Sequence, residues 1–372
     1  MKIVKNKLIP FSLIFLLILL VVTIIFSVLV GTADIQARDV IKIITNKIFV
    51  NKFPIDENMQ FIVLNLRMPR IILAILVGSS LALTGCGLQA MFKNPMADPY
   101  LTGTSSGALF GASLALVLFK NNNLSLSIAS FIGSLFSTFV IYTFANKKGK
   151  ISITTMLLAG LVLSSLLSAI VQIIMIFSKS ELINIFTFTM GSFSGASWNG
   201  VIIMTIVFFI AFTYYFAHYK ELNIISVGDE NAESIGVNVN RMKKLFLILS
   251  ALLTSTTVAF SGVIGFVGLI IPHFFRLIIG NNHKYLIPFS VLGGSIFMLL
   301  CDDIARGTLA SSEFPVGIIT SIIGAPIFLF LLRKNLVKWL LLQNFLSNTA
   351  NPHLYFFLDF HWKFRNQNIF CL

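Results

Sequence analysis

The chain has 372 residues, of which 56% are hydrophobic and only 11% charged, with mean hydropathy +0.91, net charge +13 and a pI near 9.8. Soluble domains carry about 25% charged residues, so this composition excludes a hydrated globular surface. It also excludes nucleic-acid binding, because the basic residues are scattered in short loops between apolar runs instead of gathered on one face or tail.

The remaining solvent is lipid. A hydrocarbon core of about 30 Å asks for about 20 apolar residues in a helix, and Leu8 to Val30 contains no charged residue at all. Lys2, Lys5 and Lys7 precede this run as in a secretory signal. The run is about twice the length of a signal core and has no small-x-small cleavage site after it, so it reads as a retained first membrane helix. Windows of about 19 residues predict about ten membrane helices, at 8–31, 70–92, 101–119, 124–145, 152–177, 198–217, 245–263, 264–279, 286–307 and 315–333. Polar segments interrupt the pattern at 32–66 and 218–244, and 178–197 holds a short apolar piece expected to form a small helix outside the membrane. The fold class is therefore an all-α integral membrane protein.

Orientation follows from lysine and arginine. With the N-terminus inside, the inner loops hold roughly two thirds of the 27 basic residues, Lys93, Lys148, Arg241, Lys243 and Lys244 among them, which predicts both termini in the cytoplasm. Packing follows from glycine: Gly103, Gly107 and Gly111 recur every four residues along the third helix and predict close approach of a neighbour. The string Gly85-Cys86-Gly87-Leu88-Gln89-Ala90 fits a dinucleotide fingerprint, but it lies inside an apolar run instead of between a strand and a helix. Cys86, Cys301 and Cys371 are odd in number and widely spaced, which predicts neither disulfides nor a metal site. His273 is a lone histidine without a second ligand at metal spacing. No cofactor is expected.

Four segments are individual. The first runs from Arg67-Met68-Pro69-Arg70 through Asn94-Pro95-Met96-Ala97-Asp98-Pro99 to Gly103-Thr104-Ser105-Ser106-Gly107. The second is Val227-Gly228-Asp229-Glu230-Asn231-Ala232-Glu233-Ser234-Ile235-Gly236-Val237. The third spans Gly262-Val263-Ile264-Gly265-Phe266-Val267-Gly268 to Pro272-His273-Phe274-Phe275-Arg276. The fourth contains Asp302-Asp303-Ile304-Ala305-Arg306, Glu313-Phe314-Pro315-Val316-Gly317 and Gly324-Ala325-Pro326. In this order and spacing the chain resembles the FecCD-type permeases, importers of iron-siderophores, haem or cobalamin, over roughly residues 10–335.

The resemblance implies a type II ABC importer permease fold: a homodimer in the cell membrane, two ATPase subunits docked from the cytoplasm, and a soluble binding protein delivering ligand from outside. A heterodimer with a related permease stays open. The chain itself reads as a transport subunit and not an enzyme, since it holds no G-x-x-x-x-G-K-[ST] phosphate loop; Gly149-Lys150 is followed by Ile151. Within 218–244 the resemblance assigns ATPase coupling to Gly228, Asp229, Glu230, Ala232, Ile235, Gly236 and Val237. It assigns binding-protein docking to Arg67, Arg70 and Arg306, which the topology puts at outer helix ends, on an exposed rim. Asp302 stands four residues before Arg306, a spacing that predicts a structural pair along one helix. The rival class is an ion-coupled secondary transporter, which would show broken helices with polar groups near the midplane; only Asp302 and Asp303 suggest one. Residues 1–335 form the expected permease domain. Residues 336–372 are rich in Phe, Leu and Asn and have no counterpart in the resemblance. The transported chelate is not written in the sequence.

Overall fold

The computed structural model describes residues 8–31, 35–49, 56–119, 123–147, 150–307 and 314–331. The helices in chain order are α1 (Ile9–Leu29), α2 (Ala37–Phe49), α3 (Glu57–Phe61), α4 (Met68–Met91), α5 (Thr104–Leu118), α6 (Asn123–Ala145), α7 (Ile153–Phe177), α8 (Leu182–Met190), α9 (Trp198–Ala217), α10 (Tyr219–Val227), α11 (Asp229–Ser234), α12 (Val239–Ser261), α13 (Val267–Ile279), α14 (His283–Gly307) and α15 (Val316–Leu331). A two-residue antiparallel ladder, Asn146–Lys147 with Lys150–Ile151, joins α6 to α7. Among the described residues seven helices are long and apolar enough to cross a bilayer, and α5, α13 and α15 are shorter apolar helices. Seven and three make the ten expected. The expected extension at 336–372 lies outside the described residues.

Boundaries differ at two places that matter. The polar segment 32–66 is not a plain loop: it contains α2, and from Glu57 the chain is continuously helical through a π-helical turn, Ile62–Arg67, into α4. The second difference is at α12, which begins at Val239, so that Arg241, Lys243 and Lys244 are helical and not part of the loop. Asn238 caps this helix by accepting from the Arg241 N–H at 3.0 Å, which satisfies one of the backbone donors left over at a helix start.

The bundle is built around α4, which is buried along nearly its whole length while α1 and α7 expose most of theirs. Its sequence explains this. Gly78, Gly85 and Gly87 lie among Ser79, Ser80, Ala82, Thr84 and Cys86, all buried. A Cβ at Gly78 would collide with the Gly294 carbonyl on α14, one at Gly85 with the Gly268 carbonyl on α13, and one at Gly87 with the Tyr215 ring on α9. Small residues thus let three neighbours reach the α4 backbone, the packing mode that replaces hydrophobic drive in lipid. Gly107 and Gly111 do the same for α5, since a Cβ there would strike the Gly133 and Ala129 carbonyls of α6. Gly103, the residue before α5 at φ +71°, packs against the same neighbour, since a Cβ there would strike Ile141 and Ser137 of α6. The small helix α8 is tied into one end of the bundle, with the Phe188 carbonyl accepting from Val263 N–H at 3.2 Å and the Gly191 carbonyl from Val316 N–H at 3.0 Å.

Candidate functional site

Chemistry-bearing residues gather at the two ends of the α4–α14 pair. At one end the chain leaves α9 and makes two short helices, α10 and α11, before entering α12. Ile225, Ala232 and Val239 form a small buried core of their own, covered by Ile224, Val237 and Met242. Gly236 turns the chain at φ +86°, a left-handed conformation that costs a side chain about 1–2 kcal/mol. A Cβ at Gly236 would meet nothing within 4 Å, so the demand for glycine here is conformational and not steric.

Ion pairs hold this unit to the bundle. Asp229 accepts from Lys243 Nζ on α12 at 2.6 Å and lies 2.9 Å from Lys93 Nζ, just past α4. Burial alone would raise the Asp229 carboxyl, and the two ammonium groups outweigh it, holding the group below the usual carboxylate range. The Asn223 side-chain oxygen accepts from the His283 N–H at 2.8 Å, and the Asn223 amide donates to the Asn282 oxygen at 3.1 Å, tying α10 to the start of α14. What stays outside is Val227, Glu230, Glu233, Ile235 and Gly236, a strip of exposed apolar and acidic residues. Of the residues assigned to coupling, Ala232 is buried and Val237 partly so; Glu230 and Ile235 face out, and Asp229 is pinned between two lysines. The sequence reading took Lys93 and Lys243 as orientation signals only and did not single out Asn223 or His283. A lysine at positive φ (Lys93, +51°) leaves no mark in a single sequence.

At the other end Arg67, Arg70 and Arg306 meet Asp302 and Asp303. The exposed rim expected for these arginines is not there: they are 5%, 8% and 5% exposed. Arg70 donates from Nη2 to Asp302 Oδ1 at 2.8 Å and from Nε to both carboxylate oxygens at 3.1 Å. Arg306 Nε stands 3.1 Å from Asp302 Oδ2, the four-residue pair expected along α14, and its Nη2 pairs with Asp303. The helix α1 closes the cluster. Ser27 donates to Asp303 at 2.6 Å and accepts from Arg306 at 2.7 Å, Arg67 donates to the Val28 carbonyl at 2.6 Å, and Arg306 to the Val30 carbonyl at 3.0 Å. Cations on the last carbonyls of a helix are favourably placed. The physical reason for the burial is this covering by α1: the carboxylates and carbonyls replace water around each guanidinium, which desolvation would otherwise forbid. Arg67 and Arg70 share a spacing, yet Arg67 reaches α1 and Arg70 reaches α14.

Towards the α10–α11 end, Arg276 on α13 donates at 2.8 Å to Gln89, four residues before Lys93, and Gln89 in turn donates to the Leu269 carbonyl at 3.0 Å. His273 is buried beside them. Among the described residues no group of three His, Cys, Asp or Glu could hold a metal ion.

The profile of the FecCD transport family matches residues 19–334. The cobalamin import system permease protein of Halobacterium salinarum is 40% identical over 287 residues, 77% of this chain and 77% of its own length. The hemin transport system permease protein of Yersinia pestis is 37% identical over 326 residues, 86% of this chain and 94% of its own. A solved structure of an inward-facing "metal-chelate type ABC transporter" superposes with a TM-score of 0.76 at 32% identity, covering 87% of this chain and 99% of that one. A match over most of the sequence, agreeing with ten apolar helices around a glycine-rich α4, places the chain: it belongs to the FecCD transport family and is a membrane-spanning permease of the ABC importer type.

Proposed function

We propose that this permease carries an iron(III)-siderophore or a related chelate across the cell membrane, driven by ATPase subunits that dock at the α10–α11 end. Relatives named for cobalamin and hemin support a bulky chelate as cargo. The observation that carries the coupling is the α4–α14 pair. One end of α4 reaches Lys93 and the end of α14 reaches His283, both bonded to the α10–α11 unit; the opposite ends carry Arg70 and Asp302. Gly78 and Gly294 pack these two helices backbone to backbone midway. Force applied to α10–α11 therefore has a stiff route across the bilayer.

In this reading the α10–α11 end faces the cytoplasm, as do both termini, because short-loop lysines and arginines concentrate there. A second copy of the chain completes the path, lipid surrounds the pair, and an extracytoplasmic binding protein delivers the chelate at the opposite end. The arginine–aspartate cluster serves that delivery by fixing the ends of α1, α4 and α14. Direct ion pairs from Arg67, Arg70 or Arg306 to the binding protein require the cluster to open first. Ion-coupled transport is disfavoured, since Asp302 and Asp303 are already committed to arginines.

The test is uptake of labelled ferric siderophore, haem and cobalamin by a deletion strain carrying the permease with its partners. Accumulation of the ferric chelate above the other two supports the reading. Uptake confined to cobalamin or haem moves the cargo to that related chelate, and uptake of none of the three refutes the reading.

A further inference from the structure

We propose that α9 and α12 hold one anionic phospholipid in the groove between them, acyl chain along the helices and headgroup beside Arg241 and Lys244. The groove has a volume of about 710 Å³. Phe209, Ile210 and Thr213 form one wall and Leu245, Ile248 and Leu249 the other. Phe209, Ile210 and Ile248 are exposed in the monomer. From Phe209 to His218 the wall rises roughly 14 Å at 1.5 Å per residue, close to one leaflet of a core about 30 Å thick. Both walls are single helices that have already closed their backbone hydrogen bonds, so apart from the Thr213 hydroxyl the slot offers an acyl chain shape and dispersion contact.

Beyond that hydroxyl, polarity appears only at the α10 end. Tyr214 stacks on His218 with ring centroids 4.2 Å apart, and the His218 Nδ1 donates to the Tyr214 carbonyl at 3.0 Å, leaving Nε2 without that partner. Arg241 and Lys244 stand four residues before Leu245 and Ile248, hence one turn further along the same faces of α12. Lys220 follows His218 by two residues. All three cations are exposed, and among the described residues none of them makes an ion pair. Arg241 on α12 and Glu221 on α10 both act on Tyr214 at this mouth. A basic mouth on an apolar slot between two membrane helices selects a lipid with a negative headgroup over a zwitterionic one. The inference needs only that this end of α9 and α12 meets a bilayer surface, whichever side that surface is on.

The test uses the full transporter in nanodiscs doped with phosphatidylglycerol carrying a photoreactive group midway along one acyl chain, and the matching phosphatidylcholine. After irradiation, peptide mapping should place adducts on 209–218 and 245–249, several-fold more with phosphatidylglycerol. Competition by unlabelled phosphatidylglycerol should weaken by roughly tenfold in Arg241→Gln with Lys244→Gln. Thr213→Trp, which fills the slot without touching the cations, should abolish the adducts. Correct insertion of each variant is read from the buried Cys86 and Cys301 staying unreactive to a thiol reagent. Equal labelling by both lipids overturns the proposal, as do adducts spread evenly over α1 and α7. Efficient crosslinking between two copies of the chain at Ile210 would overturn it too, by making the groove a subunit contact.

Discussion

Replacing Asp302 with Asn keeps the shape of a side chain that is fully buried and removes the charge that two arginines share. Among the described residues the cluster holds three arginines and two aspartates, a net charge of +1, so the variant raises it by one charge in a site closed by α1. Breaking a buried ion pair by deleting one partner costs about 3–5 kcal/mol, because the other charge stays desolvated. Replacing both partners by apolar groups of similar size is far cheaper and is often neutral. Arg70→Met with Asp302→Leu returns the cluster to +1, with Arg306 still paired to Asp303 and Ser27. The double variant should therefore be more stable than Asp302→Asn alone. Unfolding of the solubilised protein can be followed by the reactivity of buried Cys86 and Cys301 in a Cys371→Ser background. A single variant as stable as the parent, or a double variant less stable than the single, would refute the reading of this cluster as a buried structural clasp.

Four further outcomes are expected. Gly236→Val should insert normally, yet lose most ATPase stimulation by the binding protein, because a β-branched residue resists φ +86°; full stimulation would remove Gly236 from the coupling path. Asp229→Asn should weaken the same stimulation with a stability loss of about 1 kcal/mol or less, since the pair is partly exposed. The Asp229 carboxyl is held below its ordinary range, so the stability it contributes is fully present above about pH 4 and is lost only as pH falls through its lowered folded value. Stimulation measured between pH 5 and 8 should show no inflection from this group. Gly111→Leu should reduce the amount of folded protein in the membrane by wedging α5 from α6, and unchanged expression with unchanged thiol protection would contradict that packing.

The apolar runs made most of the bundle legible, because a bilayer demands helices of a certain length and little else. Their ends were less legible. The run at 245–263 marks where α12 becomes apolar, whereas the helix starts at Val239, where Asn238 caps it. Likewise the apolar window put a helix start near 70, whereas the chain is helical from Glu57 through the π-helical turn Ile62–Arg67, and Pro69 is tolerated there in the first turn of α4. The arginines show the larger gap. Arg67, Arg70 and Arg306 were read as exposed because they stand at helix ends, but their surroundings include Ser27, Val28 and Val30, separated from Arg306 by more than 270 residues of chain. Spacing of three or four reveals partners on one helix, as for Asp302 and Arg306, and is silent about those supplied by another. The α10–α11 unit was found by its string of residues, while the lysines that pin it were hidden in neighbouring segments that read as orientation signals only.

In the proposed reading this chain transports only when an ATPase drives α10–α11. That dependence is tested most directly in proteoliposomes holding the permease with its ATPase and binding protein, by following entry of the labelled ferric chelate. Uptake should require ATP inside the compartment where the ATPase sits, need the binding protein outside, and be unaffected when proton and sodium gradients are collapsed. Uptake by the permease alone, driven by an imposed ion gradient and indifferent to ATP, would contradict it.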